Sequence, residues 1–193
     1  MKPIAVAEIL DLVAYERARA ARRREVIALK ERRRVQVGRY LSFVFENRDT
    51  VWFQIQEMCR AERIVDEGRI ADEVGVYNAL LPGTGELAAT MMIEITDTPA
   101  IKPVLDMLLG IDTRDHVRLE IGAHVSVGVF ETGHSDEELG KLSAVHFVRF
   151  PLSAQAQREF RSAEVALVVD HPNERGRTVL PEETKRSLAE DFR

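Results

Sequence analysis

The densest group of side chains able to do chemistry lies between residues 46 and 63. Glu46, Asn47, Arg48 and Asp49 form one turn, and Gln56, Glu57, Arg60, Glu62 and Arg63 follow, with Thr50 and Gln54 among them. Carboxylates in such a set act as acid or base or ligate iron, manganese or zinc, guanidinium groups hold anions, and amides orient a ligand. The group follows an apolar strand pattern and runs beside Trp52, Phe53 and Ile55. A strand-to-helix turn of this kind presents side chains and backbone N–H groups to a ligand. A plainer arrangement also fits: Glu57 and Arg60 paired at i, i+3 on a solvated face, and Arg48 with Asp49 tying a loop. Glu46, Glu57 or Glu62 with the imidazole of His146 are the candidates for a metal site assembled across the fold. His146 alternates with Arg149 across a strand pattern, so the two face opposite ways, and its apolar neighbours equally suit a hydrogen-bonded core histidine.

Other constellations are weaker. His116, His124, His134, His146 and His171 show no HxH or HExxH spacing, and the lone Cys59 excludes an internal disulfide or a multi-cysteine metal cage and reads as a small core residue. Leu81-Pro-Gly-Thr-Gly-Glu-Leu87 lacks both the GxGxxG spacing and a GKS or GKT ending, so it reads as a tight turn. Without a GxSxG elbow, nucleophilic hydrolase chemistry has no support. No motif specifies a cofactor.

The elements that must position these residues follow from periodicity. Residues 4–34 carry apolar positions at helical spacing joined by an Ala/Arg run without Gly or Pro, a helix or two in succession that Gly38 should end. Tyr40 to Glu46 alternates as a strand. A helix from about Thr50 to Val65, capped by Asp49, carries the stripe Val51, Trp52, Ile55, Met58 and Cys59, which Glu62 should continue at the edge of the buried face. A further helix covers about Asp66 to Asn78. Period two returns at Ala89 to Ile95. A short helix near Ala100 to Leu109, capped by Thr98, then precedes a hairpin of Val117 to Ile121 and Val125 to Val129. Ser135 with Glu138 has capping-box spacing in a loop or short helix, Leu142 to Phe150 and Glu164 to Asp170 read as strands around a helical piece from Ser153, and Pro181 opens a last helix.

The expected fold is α+β: N-terminal helices packed on a mostly antiparallel sheet of about five strands in one domain, with residues 1–39 a basic helical arm, 40–85 a strand plus helices, and 86–193 mainly sheet with short helices. At 193 residues and 45% hydrophobic the chain buries about 70% of its unfolded surface. Its net charge of −5 hides a division: residues 1–40 hold 11 basic and 5 acidic side chains, a net of +6, and the rest carries −11. Clustered arginine suits phosphates, but Glu16, Glu25 and Glu31 interleave with it and no helix-turn-helix or RNP motif accompanies it, which argues against nucleic acid. The better occupant of a basic arm is an acidic protein surface: the chain's own body, an acidic partner or another copy in a homo-oligomer. No apolar run is long enough for a membrane span, and the interrupted N-terminus does not read as a signal peptide, so the expected compartment is the cytoplasm.

Two long segments, Phe45-Glu-Asn-Arg-Asp-Thr-Val-Trp-Phe-Gln-Ile-Gln-Glu-Met-Cys-Arg-Ala-Glu-Arg-Ile64 and Tyr77-Asn-Ala-Leu-Leu-Pro-Gly-Thr-Gly-Glu-Leu87, resemble the bacterial DUF3501 family of unknown function. The resemblance extends from Val26-Ile27-Ala28-Leu29-Lys30 to Val169-Asp170-His171-Pro172. It carries over no catalytic residues. It implies a redox setting, through an association with genes for rubrerythrin-like and iron-sulfur, heterodisulfide-reductase-like proteins. The expected function is therefore a ligand- or metal-binding accessory protein using the 46–63 turn and helix. The alternatives are a small enzyme with a glutamate acid/base and arginine anion holders there, and an interaction protein docking through its basic helix.

Overall fold

In the computed structural model, which describes residues 1–133, 135–136 and 139–192, a 3-10 turn at Val6–Glu8 precedes helix α1 (Leu12–Arg32). The Asp11 carboxylate starts α1 by accepting from the N–H groups of Val13 and Ala14. The helix does not run on to Gly38. Arg34–Val37 is strand β1, with Val35 and Val37 buried and Arg34 and Gln36 exposed. Four residues of twofold period were too few to stand out beside a helical pattern of 21. Gly38, at φ +66°, instead turns β1 into β2 (Leu41–Phe45).

Helix α2 (Arg48–Ala61) is capped by Asn47 rather than Asp49: the Asn47 side chain accepts from Thr50 N while Thr50 Oγ1 accepts from Asn47 N. Asp49 is exposed in the first turn. The helix ends at Ala61, short of Val65, because Arg63 adopts φ +55°. Glu62 is consequently an exposed C-terminal cap and does not extend the buried stripe. Helix α3 (Glu67–Asn78) starts from Asp66, which accepts from Arg69 N. Val51, Ile55 and Cys59 of α2 and Val74 of α3 join Ile4, Ile64 and Leu81 in a small helical core, with Trp52 packed against it.

Strand β3 (Glu86–Ile93) leads through a 3-10 turn at Thr98–Ala100, where Thr98 makes no side-chain cap, to α4 (Ile101–Met107). β4 (Val117–Ile121) and β5 (His124–Val127) form the expected hairpin. Val129 leaves it. At Gly128 a Cβ would meet Val148 Cγ2 at 2.8 Å and Val117 O at 3.1 Å, and there the chain crosses to the other sheet as β6 (Val129–Phe130). Ser135 opens no helix: β7 (Ser135–Asp136) pairs with β8 (Lys141–Leu142), and Glu138 and His134 lie outside the described residues. The chain closes with β9 (Val145–Pro151), α5 (Ala154–Glu159) started by Ser153, β10 (Val165–His171), β11 (Glu174–Val179) and α6 (Glu182–Leu188) after Pro181.

Apart from the β7-β8 pair, the strands form two antiparallel sheets, ordered β1-β2-β3-β9-β6 and β11-β10-β4-β5. Phe43, Phe45, Met91 and Phe150 of the first and Leu119, Leu167 and Val169 of the second share one core with Phe160 and Leu188. The five-stranded sheet matches the expectation. The expected strands β4, β5 and β10 form a second sheet with β11, which was not expected, since it reads Glu-Arg-Gly-Arg-Thr-Val with almost no apolar signal. No helix of the described residues is long and apolar enough to cross a membrane.

Candidate functional site

Four members of the polar group between residues 46 and 63, namely Arg48, Gln56, Glu57 and Arg60, hold the N-terminal arm. Glu57 Oε1 accepts from Tyr15 OH at 2.6 Å and Arg19 Nε at 2.8 Å, and Oε2 accepts from Arg19 Nη2 at 2.8 Å. The Arg19 hydrogen bonds bring Glu57 down to a pKa of about 2, with Tyr15 adding to this and burial opposing it. Tyr15 is pushed up, by burial first and Glu57 second. Arg60 reaches Glu16 at 2.8 Å rather than Glu57. Arg48 turns away from Asp49 to the Glu8 carboxylate, at 2.6 and 2.5 Å, and to Lys2 O. The Gln56 amide, fully buried, accepts from Leu10 N at 2.8 Å and donates to Leu10 O at 3.2 Å. Arg22 lies 5.6 Å over the Trp52 ring, whose Nε1 donates to Glu8 O. Together these contacts fasten residues 2–22 along α2.

Glu62, Arg63 and Asp49 stand apart. Glu62 faces Arg69 at 3.5 Å on the surface, and Arg63 is exposed in its turn. Asp49 borders a shallow hollow beside Arg22 and Trp52.

Glu46 behaves differently. It continues the β2 ladder, Glu46 N donating to Ala88 O, and so falls on the face of the five-stranded sheet turned away from the core. On that face cross-strand rows bring Val44, Thr90 and Phe147 side by side, and Ala88, Arg149 and Val129 next to them. The Glu46 side chain is 2% exposed and accepts from Thr50 Oγ1 at 2.5 Å, Thr90 Oγ1 at 2.7 Å and Gln54 Nε2 at 3.5 Å. Beside it a cleft of about 310 Å³ opens between the sheet and the end of α3, with Leu80, Ala88, Val129 and Phe147 as walls and Arg149 and Glu131 at its margin. Arg149 caps α3: it donates to Ala79 O, to Leu81 O at 3.1 Å and to Glu86 Oε1.

His146 does not join this site. It pairs with Met91 across the ladder and faces the core, fully buried, with Nε2 2.8 Å from Ser143 O and Nδ1 3.3 Å from Asp112 Oδ2. Glu46, Glu57, Glu62 and His146 thus occupy four separate environments. Among the described residues no three His, Cys, Asp or Glu side chains gather as a metal site. Thr90, Phe147 and Val129 were not singled out by sequence. Alternation placed each on a strand face, but which strand lies beside which is decided only by the ladder.

The architecture is that of an α+β protein with two antiparallel sheets on one core, a helical layer latched by its basic N-terminal arm, and one cleft floored by a buried carboxylate. The chain belongs to the DUF3501 family, described as a protein of unknown function, whose profile matches residues 3–192. It is similar to a crystal structure of a novel protein of unknown function from Burkholderia pseudomallei K96243, with a TM-score of 0.91 and 30% sequence identity over 100% of both chains. No curated protein matches it.

Proposed function

We propose that this protein is a small-molecule-binding accessory protein whose site is the cleft between the outer face of the five-stranded sheet and the end of α3. One observation carries the reading. Of the charged residues between 46 and 63, Glu46 is the one that is buried, held by neutral donors and placed beside a cavity, while Arg48, Glu57 and Arg60 are occupied in tying helices together. A cavity of about 310 Å³, mostly apolar with a few polar groups, falls at the small end of the range for ligand sites. The redox setting implied by the family resemblance makes a redox protein the natural recipient of whatever is bound.

The test is native mass spectrometry and metal analysis of protein purified without an affinity tag, repeated on Ala88→Phe, which fills the cleft, and on Glu57→Ala, which loosens the arm. A bound molecule lost from Ala88→Phe and kept in Glu57→Ala supports the reading. Retention in both variants, or no small molecule in any preparation, overturns it.

The partner surface belongs to the same proposal. Arg17, Arg23 and Arg24 project from the exposed side of α1, where Val13 is 63% exposed. This face suits an acidic surface, such as that of a second copy, whose residues 41–193 carry −11. Sedimentation equilibrium should show a mass above the monomer that falls with salt and with Arg17→Glu, Arg23→Glu and Arg24→Glu combined. A monomer at every concentration and salt would remove the second copy as occupant.

A further inference from the structure

Resting on the cleft as the binding site, we infer that its ligand is a compact organic cation, a primary or quaternary amine whose positive nitrogen sits at Glu46. Among the described residues no Lys, Arg or His nitrogen lies within ion-pair distance of the Glu46 carboxylate, although the side chain is 2% exposed. Its hydrogen-bond donors are two hydroxyls and an amide, all neutral. They fix the carboxylate's orientation but leave its charge without a counter-ion. A buried carboxylate in that condition is costly, and a cation brought by a ligand removes the cost.

The nearby cations do not supply it. Arg149 is committed to Glu86 and to the carbonyls of Ala79 and Leu81. Arg33 does approach from behind, its Nη2 donating to the Glu46 carbonyl oxygen at 3.1 Å, but its charge is matched by Asp191 at 2.5 Å. The arginine ion pairs beside Glu46 therefore sum to zero, and the carboxylate's own charge dominates the floor.

The walls suit the rest of such a molecule. Leu80, Ala88, Val129 and Phe147 offer apolar contact. A bare metal ion fits less well, because one carboxylate with two hydroxyls falls short of a divalent cation's ligand set, and among the described residues no three His, Cys, Asp or Glu side chains gather as a metal site.

The experiment is ligand-observed NMR titration with probes matched in pairs: butylamine and choline as cations, butanol and 3,3-dimethylbutanol as their respective neutral counterparts, and butyrate as the anion. The expected result is binding of the cations at least tenfold tighter than that of the alcohols, with butyrate weakest. Glu46→Gln, which keeps the acceptor for Thr50 or Thr90, should bring cations and alcohols to equal affinity. Should that variant fail to fold, Val129→Lys serves instead: Val129 is 55% exposed at the rim, and a positive charge there should weaken the cations several-fold more than it weakens the alcohols. Alcohols or butyrate binding as well as the amines, in a way that Ala88→Phe abolishes, would overturn the cation and keep the cleft. No probe of any charge affected by Ala88→Phe would overturn both.

Discussion

Arg33 and Asp191 form an ion pair at 2.5 Å, with side chains 1% and 4% exposed, although 158 residues separate them. Arg33 follows the last residue of α1 and Asp191 the end of α6, so the bond ties both ends of the chain to the core. The guanidinium also donates to the carbonyls of Phe45 and Glu46 at 2.8 and 3.1 Å, where β2 gives way to α2. Burial nevertheless pushes the Asp191 carboxyl up against the pull of Arg33.

Arg33→Met should therefore be among the costliest single changes, about 3 to 5 kcal/mol, because it leaves a buried carboxylate and two carbonyls without a donor. Adding Asp191→Leu should recover part of that loss. Urea unfolding of both variants measures it, and a double mutant no more stable than the single one would contradict the account.

Glu57 sets an acid dependence. Its carboxyl lies near pH 2 in the fold against an ordinary value of 4.5, so its contribution is complete above 4.5 and disappears as the pH falls toward 2. The span corresponds to about 1 to 3 kcal/mol once partial exposure is discounted. Glu57→Gln should flatten stability over that window relative to the wild type in thermal melts. Equal slopes would show that the latch does not depend on the charge.

Gln56→Leu should free the arm without unfolding the body. The substitution strands the N–H and C=O of Leu10, at about 1 to 3 kcal/mol. Hydrogen exchange should then accelerate across residues 1–20 and stay slow in β2 and β3. Uniform acceleration would mean that the arm and the sheets open as one unit.

Gly176→Ala probes the approach of the two sheets. An added Cβ would lie 2.7 Å from Gly38 N and 2.9 Å from Val37 Cγ1, so β11 would have to move off β1, where Thr178 Oγ1 donates to Gln36 O at 2.7 Å. A loss of about 1 to 3 kcal/mol is expected in chemical denaturation. An unchanged midpoint would show that the edges are not packed as tightly as the contact requires.

Local pattern made much of this readable in advance. The stripe of Val51, Ile55 and Cys59 is buried on α2, the alternation of Val117, Leu119 and Ile121 is one face of a strand, and Cys59 is a core residue. Periodicity reports such features because burial on one face repeats with the element's own geometry. It missed β1 and β11, whose short or polar runs become strands only because a neighbour supplies the hydrogen bonds.

The 46–63 group shows the same division. From residue types alone, Glu46, Glu57 and Glu62 are equivalent carboxylates. Residue order determined that a polar turn follows a strand and enters an apolar-striped helix, and that a basic segment precedes both. The tertiary structure decided what each charge does: α1 lies along α2 and takes Glu57 and Arg60 into ion pairs, a left-handed Arg63 leaves Glu62 in solvent, and the ladder from β2 to β3 sets Glu46 against Thr90 beneath a cleft. The reason is physical. Helix and strand propensity are settled within a few residues, whereas the environment of a charge depends on partners more than 30 positions away, which no local spacing encodes.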